Sequence, residues 1–190
     1  MARPKKFDEE RAVDAAMRAF RAVGYEATST QDLCDATGLG RSSIYNTFKS
    51  KRDLFDKALR HYMETATGRQ IELLEGDGPV REKVRVLLEQ VIDDECGDRL
   101  GCLVVNTGVE LAERDREIAR LLERDYGRRV EALRTAIEAG RMRGEIGADK
   151  NAGVLAHFVT ATVSGMRVAA RTGADRSALE GIAGTVLDAF

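Results

Sequence analysis

Proline is scarce, with two residues in 190. Because Ala, Leu, Glu and Arg are common, so few breakers favour helix along the whole chain. Cysteine is scarce too: three residues, an odd number, at unlike spacings and without a Cys-x-x-Cys pair. That argues against a disulfide framework and against a zinc site, so no metal is expected. A reducing cytoplasm is the simplest compartment. No apolar segment follows the basic Ala2-Arg3-Pro4-Lys5-Lys6, so no signal peptide is expected. The longest apolar-rich stretch, Val154 to Ala170, contains His157 and Arg167 and is read as falling short of a membrane span. No Ser/His/Asp set or pair of carboxylates stands out. The reading is therefore a non-enzyme with no catalytic residues and no cofactor.

What is present is an apolar fraction of 43%, enough for a packed core, and a formal charge of −2. The charge is uneven. Residues 1–60 hold 12 Lys/Arg against 9 Asp/Glu, a net of +3, and the remainder holds 18 against 23, a net of −5. A basic end on an acidic protein fits one nucleic-acid-contacting module. Within it, the run from Thr28 to Asp53 accommodates two short helices joined at Gly38-Leu39-Gly40. Thr30 is expected to cap the first, over 31–37, and Gly38 to stop it at positive φ. The second starts near Arg41 or Ser42. Ile44 and Phe48 share its inner face, and Arg41, Ser43, Asn46 and Lys49 its outer one. A short helix, apolar behind and polar in front, suits a DNA major groove.

The stretch resembles the helix-turn-helix of TetR-family transcriptional regulators. The resemblance rests on Thr30, on Ala36-Thr37-Gly38-Leu39, on Ser43 and the Ile44-Tyr45-x-x-Phe48 core, and on Lys51 before Leu54-Phe55. Upstream, Ala16-x-x-x-Phe20-x-x-x-Gly24-Tyr25-x-x-Thr28 also agrees, so it covers roughly residues 8–60. It implies an all-α protein of about nine helices. A three-helix DNA-binding domain over 1–60, its linking helix continuing to about 74, would precede an effector-binding and dimerisation domain over 61–190. It further implies backbone contacts to double-stranded DNA from Thr30, Tyr45 and Lys51. Arg41 is the best candidate for reading a base, its fork matching guanine O6 and N7. Ser42, Ser43 and Asn46 are candidates for base edges or phosphates, and Lys49 for phosphate.

The remaining helices follow from spacing. Asp8 is expected to cap the first, which runs to Val23 with Val13, Ala16, Met17 and Phe20 inward; residues 1–7, with Arg3, Lys5 and Lys6, read as a loose basic arm or a solvated tail. The fourth opens at Ser50 or Lys51. Others are expected over 80–96, from 100 to 112, over 115–143, over 150–171 and over 176–190. The last two are apolar enough either to complete a monomer core or to pair with a second copy as a four-helix interface. The resemblance favours a homodimer through Val154, Phe158, Val163, Leu179, Ile182, Val186 and Leu187, and hence a palindromic operator.

It also implies an effector pocket within the C-terminal helices. Candidate walls are Cys102, Asn106, Tyr126, His157, Phe158, Thr162 and Met166, with Leu87, Val91, Val105 and Val109 near them; a satisfied core or interface histidine is the default for His157. The Gly101-Cys102-Leu103-x-x-Asn106 segment resembles a subgroup in which a cysteine senses electrophiles or oxidants. Cys102 is therefore either such a sensor or a small packing residue, with Cys34 core. The function expected is a one-component regulator, in the first place a repressor, that leaves its operator when a small-molecule or reactive effector acts. The alternatives are an activator and a helical small-molecule-binding protein that no longer reads DNA.

Overall fold

The computed structural model describes residues 5–97 and 100–190. Nine helices and no strand occur among them, as the scarcity of proline predicts. In chain order they are α1 (Lys5–Val23), α2 (Thr30–Thr37), α3 (Arg41–Phe48), α4 (Lys51–Glu75), α5 (Val80–Cys96), α6 (Leu103–Leu111), α7 (Arg116–Met142), α8 (Ala152–Arg171) and α9 (Arg176–Leu187). They form two compact units. One holds the described residues up to Thr65 together with Cys102–Ala119; the other holds Ala66–Gly101 and Arg120–Phe190.

The first unit is built on the inner stripe of α1. Val13, Ala16 and Phe20 are buried, and Met17 is half-buried. The Phe20 ring meets Phe55 of α4 edge-on at 5.1 Å, and Tyr25 closes on Phe55 at 4.7 Å. Each fully buried aromatic of this kind stabilises by roughly 1.5–3 kcal/mol. α1 starts at Lys5, so Asp8 lies inside the helix and is not its cap, and Lys5 and Lys6 belong to the helix and not to a loose arm. Arg3 falls outside the described residues.

The cap of α2 also differs from expectation. Ser29 holds that place and Thr30 is the first helical residue. The cause is a reciprocal box: Asp32 N donates to Ser29 Oγ at 3.1 Å, and Ser29 N donates to Asp32 Oδ2 at 2.7 Å. The backbone N–H of Ser29, and then its hydroxyl, hold the Asp32 carboxyl below its ordinary value. Gly38 stops α2 at φ 68°, as expected. α6 joins this unit because Leu103 and Leu111 are buried against it and because its polar residues reach α1 and the turn after it.

In the second unit α5, α8 and α9 pack together with α7 around Val84, Leu88, Val91, Leu133, Ile137 and Val159. α8 is 20 residues long with a mean hydropathy of 1.2 over its best 18-residue window, so by length and composition it is apolar enough to cross a membrane. That corrects the expectation that it falls short. Two charged residues do not offset its Val, Ala and Phe content, and its inner side (Leu155, Ala156, Val159, Val163, Met166) is buried within the unit.

Two glycines of α7 make opposite predictions. A Cβ on Gly140 would lie 2.5 Å from Val80 Cγ1, and Val80 is fully buried. Nothing lies within 4 Å of the same atom on Gly127. Gly127→Ala should therefore gain the helix propensity difference of about 1 kcal/mol. Gly140→Ala has the same gain but meets an overpacking cost of about 1–3 kcal/mol. Thermal unfolding at one protein concentration should show Gly127→Ala melting higher than the parent and Gly140→Ala lower. Equal shifts would mean that Val80 yields freely.

Candidate nucleic-acid interface

α3 presents one polar face because its two large apolar residues face inward. Ile44 and Phe48 are buried, whereas Arg41, Ser42, Ser43, Tyr45, Asn46 and Lys49 are all exposed. Gly40 caps the helix and makes no side-chain bond to it, so Ser42 is a helical residue with a free side-chain face and not the cap. The N–H groups of Arg41 and Ser42, at the start of this first turn, lie at the positive end of the helix dipole, which favours phosphate.

Tyr45 links the two short helices. Its hydroxyl is 3.4 Å from Thr30 Oγ1, and the Arg41 guanidinium lies over its ring, 5.9 Å from the centroid. The bond to Thr30, and then Arg41 beside it, hold the phenol below its ordinary pKa. Arg41 is thereby laid along the outer surface of α3, with its fork directed by an aromatic platform.

The far end of α3 turns sharply. Lys49 is the one non-glycine residue at positive φ among those described, at 60°, and Ser50 N donates back to Phe48 O at 2.6 Å. A turn of this kind is strained by about 1–3 kcal/mol. It ends α3 within eight residues and lets Ser50 cap α4, where Asp53 N donates to Ser50 Oγ at 3.0 Å. Lys51 then lies on the same side as the α1–α2 turn. Its ammonium donates to Glu26 O at 3.3 Å and stands 4.5 Å from the centre of the Tyr25 ring. The ions and dipoles at Thr30, Arg41, Tyr45, Lys49 and Lys51 thus share the one structural unit that contains α2 and α3.

The candidate effector residues are not brought together in this way. Tyr126 OH and His157 Nδ1 are 2.8 Å apart, on α7 and α8, and both residues are exposed. Phe158 is exposed and Thr162 half-buried, while Met166 is packed in the core. Cys102 and Asn106 belong to the other unit, where Asn106 Nδ2 donates to Arg21 O at 3.4 Å. Val109 is exposed. A groove of about 1100 Å³ does open in the second unit, between Ile71, Leu74, Lys83, Ala132, Ala136 and Arg143, and none of the expected pocket residues lines it.

The interface set divides as well. Val163, Leu179 and Val186 are buried within their own unit and leave no surface for a second copy, a correction to that set. Val154 and Phe158 are exposed, and Ile182 and Leu187 half-buried. Hydrophobic spacing alone does not separate a helix's own core from its partner's, because both want the same residue types.

Sequence reasoning missed Ser29, Tyr25, Glu110 and Asp115. The Ser-x-x-Asp spacing at 29–32 was a legible signal for the first. No local pattern announces the others, whose partners lie up to 85 residues away.

Residues 12–58 match the family described as bacterial regulatory proteins, tetR family, and residues 81–186 match the tetracyclin repressor-like C-terminal domain. The chain belongs to the TetR family. Over 185 residues it is 31% identical to an uncharacterized HTH-type transcriptional regulator, YezE, of Bacillus subtilis (strain 168), covering 95% of this chain and 94% of that one. It is 31% identical over 188 residues to the HTH-type transcriptional repressor ComR of Escherichia coli (strain K12), covering 97% and 90%. A TetR family regulator, CifR, solved as a cysteine mutant complexed with 26bp double-strand operator DNA, superposes with a TM-score of 0.86 at 28% identity over the whole of both chains. A TetR regulator from Chloroflexus aurantiacus gives 0.87 at 26% identity over 98% and 96%. As a TetR-family member the chain is a DNA-binding transcriptional regulator and not an enzyme.

Proposed function

We propose that this protein is a repressor that binds a palindromic operator as a homodimer and is released by an effector. The observation that carries the reading is the α3 face: Arg41, Ser42, Ser43 and Asn46 stand exposed over buried Ile44 and Phe48, with Thr30, Tyr45 and Lys51 placed on the adjoining elements. Such a face inserts into the major groove, where Arg41 reads guanine and Ser42, Ser43 and Asn46 reach base edges or phosphates. Thr30, Tyr45, Lys49 and Lys51 hold the backbone. CifR, with which the chain superposes, is a regulator complexed with operator DNA. The reading domain takes in residues 1–60 and the effector and dimer domain 61–190, with α6 added to the first by its packing. The compartment is the cytoplasm, where operator DNA lies.

The dimer forms through the exposed sides of α8 and α9, on which Val154, Phe158, Ile182 and Leu187 remain available. Release is a population shift between two arrangements of the dimer, limited by the effector's differential affinity for them. The effector is a small molecule or an electrophile or oxidant. The second class is supported by Cys102, which holds the N-cap position of α6 with no side-chain cap bond. It is 6% exposed, which restricts access to small reagents.

Mobility shift of the protein on its own upstream DNA, at two salt concentrations and with apolar and electrophilic compounds added, tests the reading. Tight, salt-sensitive binding to a palindrome, lost with one compound, is the expected result. Absence of any specific fragment, even after selection from genomic DNA, would refute it.

A further inference from the structure

The α6 segment carries two carboxylates that close on the two sides of Lys51. Glu110 Oε2 accepts from Tyr25 N at 2.9 Å and Oε1 from Glu26 N at 2.7 Å, across 85 and 84 residues of chain. The approach is close enough that a Cβ on Gly24 would sit 2.9 Å from Glu110 Oε2, and Gly24 is already at φ 91°. This position therefore needs glycine twice, for the turn and for the carboxylate. The turn that Glu110 grips also holds Lys51: Glu26 O, in the next peptide group, accepts from its ammonium, and the Tyr25 ring lies beneath it. On the other side Asp115, just past α6, accepts from Arg52 at 2.5 Å, one residue after Lys51. Asp115 also receives Glu117 N and Ile118 N at the start of α7, and Arg52, foremost, holds its carboxyl below the ordinary value.

We propose that Glu110 is a positioning residue for operator binding: it fixes the α1–α2 turn so that Lys51 is presented to phosphate, and α6 is thereby a lever on operator affinity. The inference rests on the operator-binding reading above. Charge-assisted bonds to two backbone N–H groups hold a turn far more rigidly than water does. When they are lost, the Glu26 carbonyl and the Tyr25 ring no longer define one place for the ammonium, and its phosphate contact costs ordering entropy. Asp115, together with Asp56, anchors Arg52 and so fixes the helix start but not the turn.

The test uses the full-length protein and the duplex it selects from a random-sequence pool. Affinity is measured across a salt series for wild type, Glu110→Ala, Glu110→Gln, Lys51→Ala and the Glu110→Ala/Lys51→Ala double variant. Each phosphate contact contributes about 0.9 to the slope of log affinity against log salt. With two copies per operator, Glu110→Ala should flatten that slope by roughly 1.8 and weaken binding about tenfold. The double variant should bind no more weakly than Lys51→Ala. A residue that merely stabilises the fold would lower the melting temperature and leave slope and additivity untouched, and that result overturns the proposal. Should Glu110→Ala fail to fold, the isosteric Glu110→Gln keeps one acceptor. It is expected to bind severalfold more weakly and to be non-additive with Lys51→Ala, and full additivity overturns the proposal. If wild type selects no duplex, the operator reading itself falls, and the inference falls with it.

Discussion

Phe158→Glu is expected to yield a monomer at micromolar concentration and to weaken operator binding by about 10²- to 10⁴-fold, the avidity that a second tethered half-site confers. The reason lies on the outer side of α8. Val154, Phe158, Ala161, Gly165 and Val168 are all exposed, at successive spacings of four, three, four and three. That is the seam spacing of two helices packed along their length. Val154 is 65% exposed, Phe158 41% and Val168 47%, an unusual amount of large apolar surface for one helix face. Ala161 and Gly165 sit at its middle, where small residues let a second backbone approach. Across a two-fold axis the same residues meet themselves, so a glutamate at 158 would be matched by its copy at short range. Sedimentation reads the association state and mobility shift the affinity. A variant that stays dimeric with unchanged affinity would place the interface elsewhere. A control at Val163, already buried in its own unit, should lose stability instead of association.

Much of this fold was legible because helical spacing is a local property. The inner stripe of α1, the Gly38 stop and the Ile44/Phe48 pair of α3 follow from neighbours within four residues, and all lie where periodicity places them. The exposed polar face of α3 is legible for the same reason. Three features were missed, the first despite its Ser-x-x-Asp signal. Ser29 displaces Thr30 as cap because two flanking hydroxyls compete, and the reciprocal bond from Asp32 decides between them. α6 packs with the reading unit because Glu110, Asn106 and Asp115 find partners far back along the chain, and such pairs leave no trace in hydrophobic spacing. The sharp turn at Lys49 has no glycine to signal it; the strain is imposed by Ser50, which must cap α4 directly after α3 ends. The effector residues were the least legible, since an apolar residue facing a cavity and one facing a core obey the same pattern.

Arg41→Ala should lose discrimination at one base pair of each half-site, at a cost of about 1–3 kcal/mol for each bidentate contact and therefore about twice that for the dimer. In affinity this is a loss of between about 30-fold and about 2 × 10⁴-fold on the selected operator. Two features favour Arg41 as the proposed reader over another phosphate contact. It is the first residue of α3, and its guanidinium lies over the Tyr45 ring. A platform of this sort removes the conformational freedom that a lysine stem would keep, so the planar fork arrives pre-oriented. Arg41→Lys separates geometry from charge: the charge remains and the fork is lost. It should keep the salt slope of wild type while losing most of the discrimination. Lys49→Ala, by contrast, should weaken all sequences alike and flatten the slope by roughly 1.8 for the two copies. Selection from a randomised half-site, followed by a salt series on the winners, reads both quantities. If Arg41→Ala flattened the slope and left the selected sequence unchanged, Arg41 would be a backbone contact, and the reading of bases would pass to Ser42, Ser43 and Asn46, which share its exposed face.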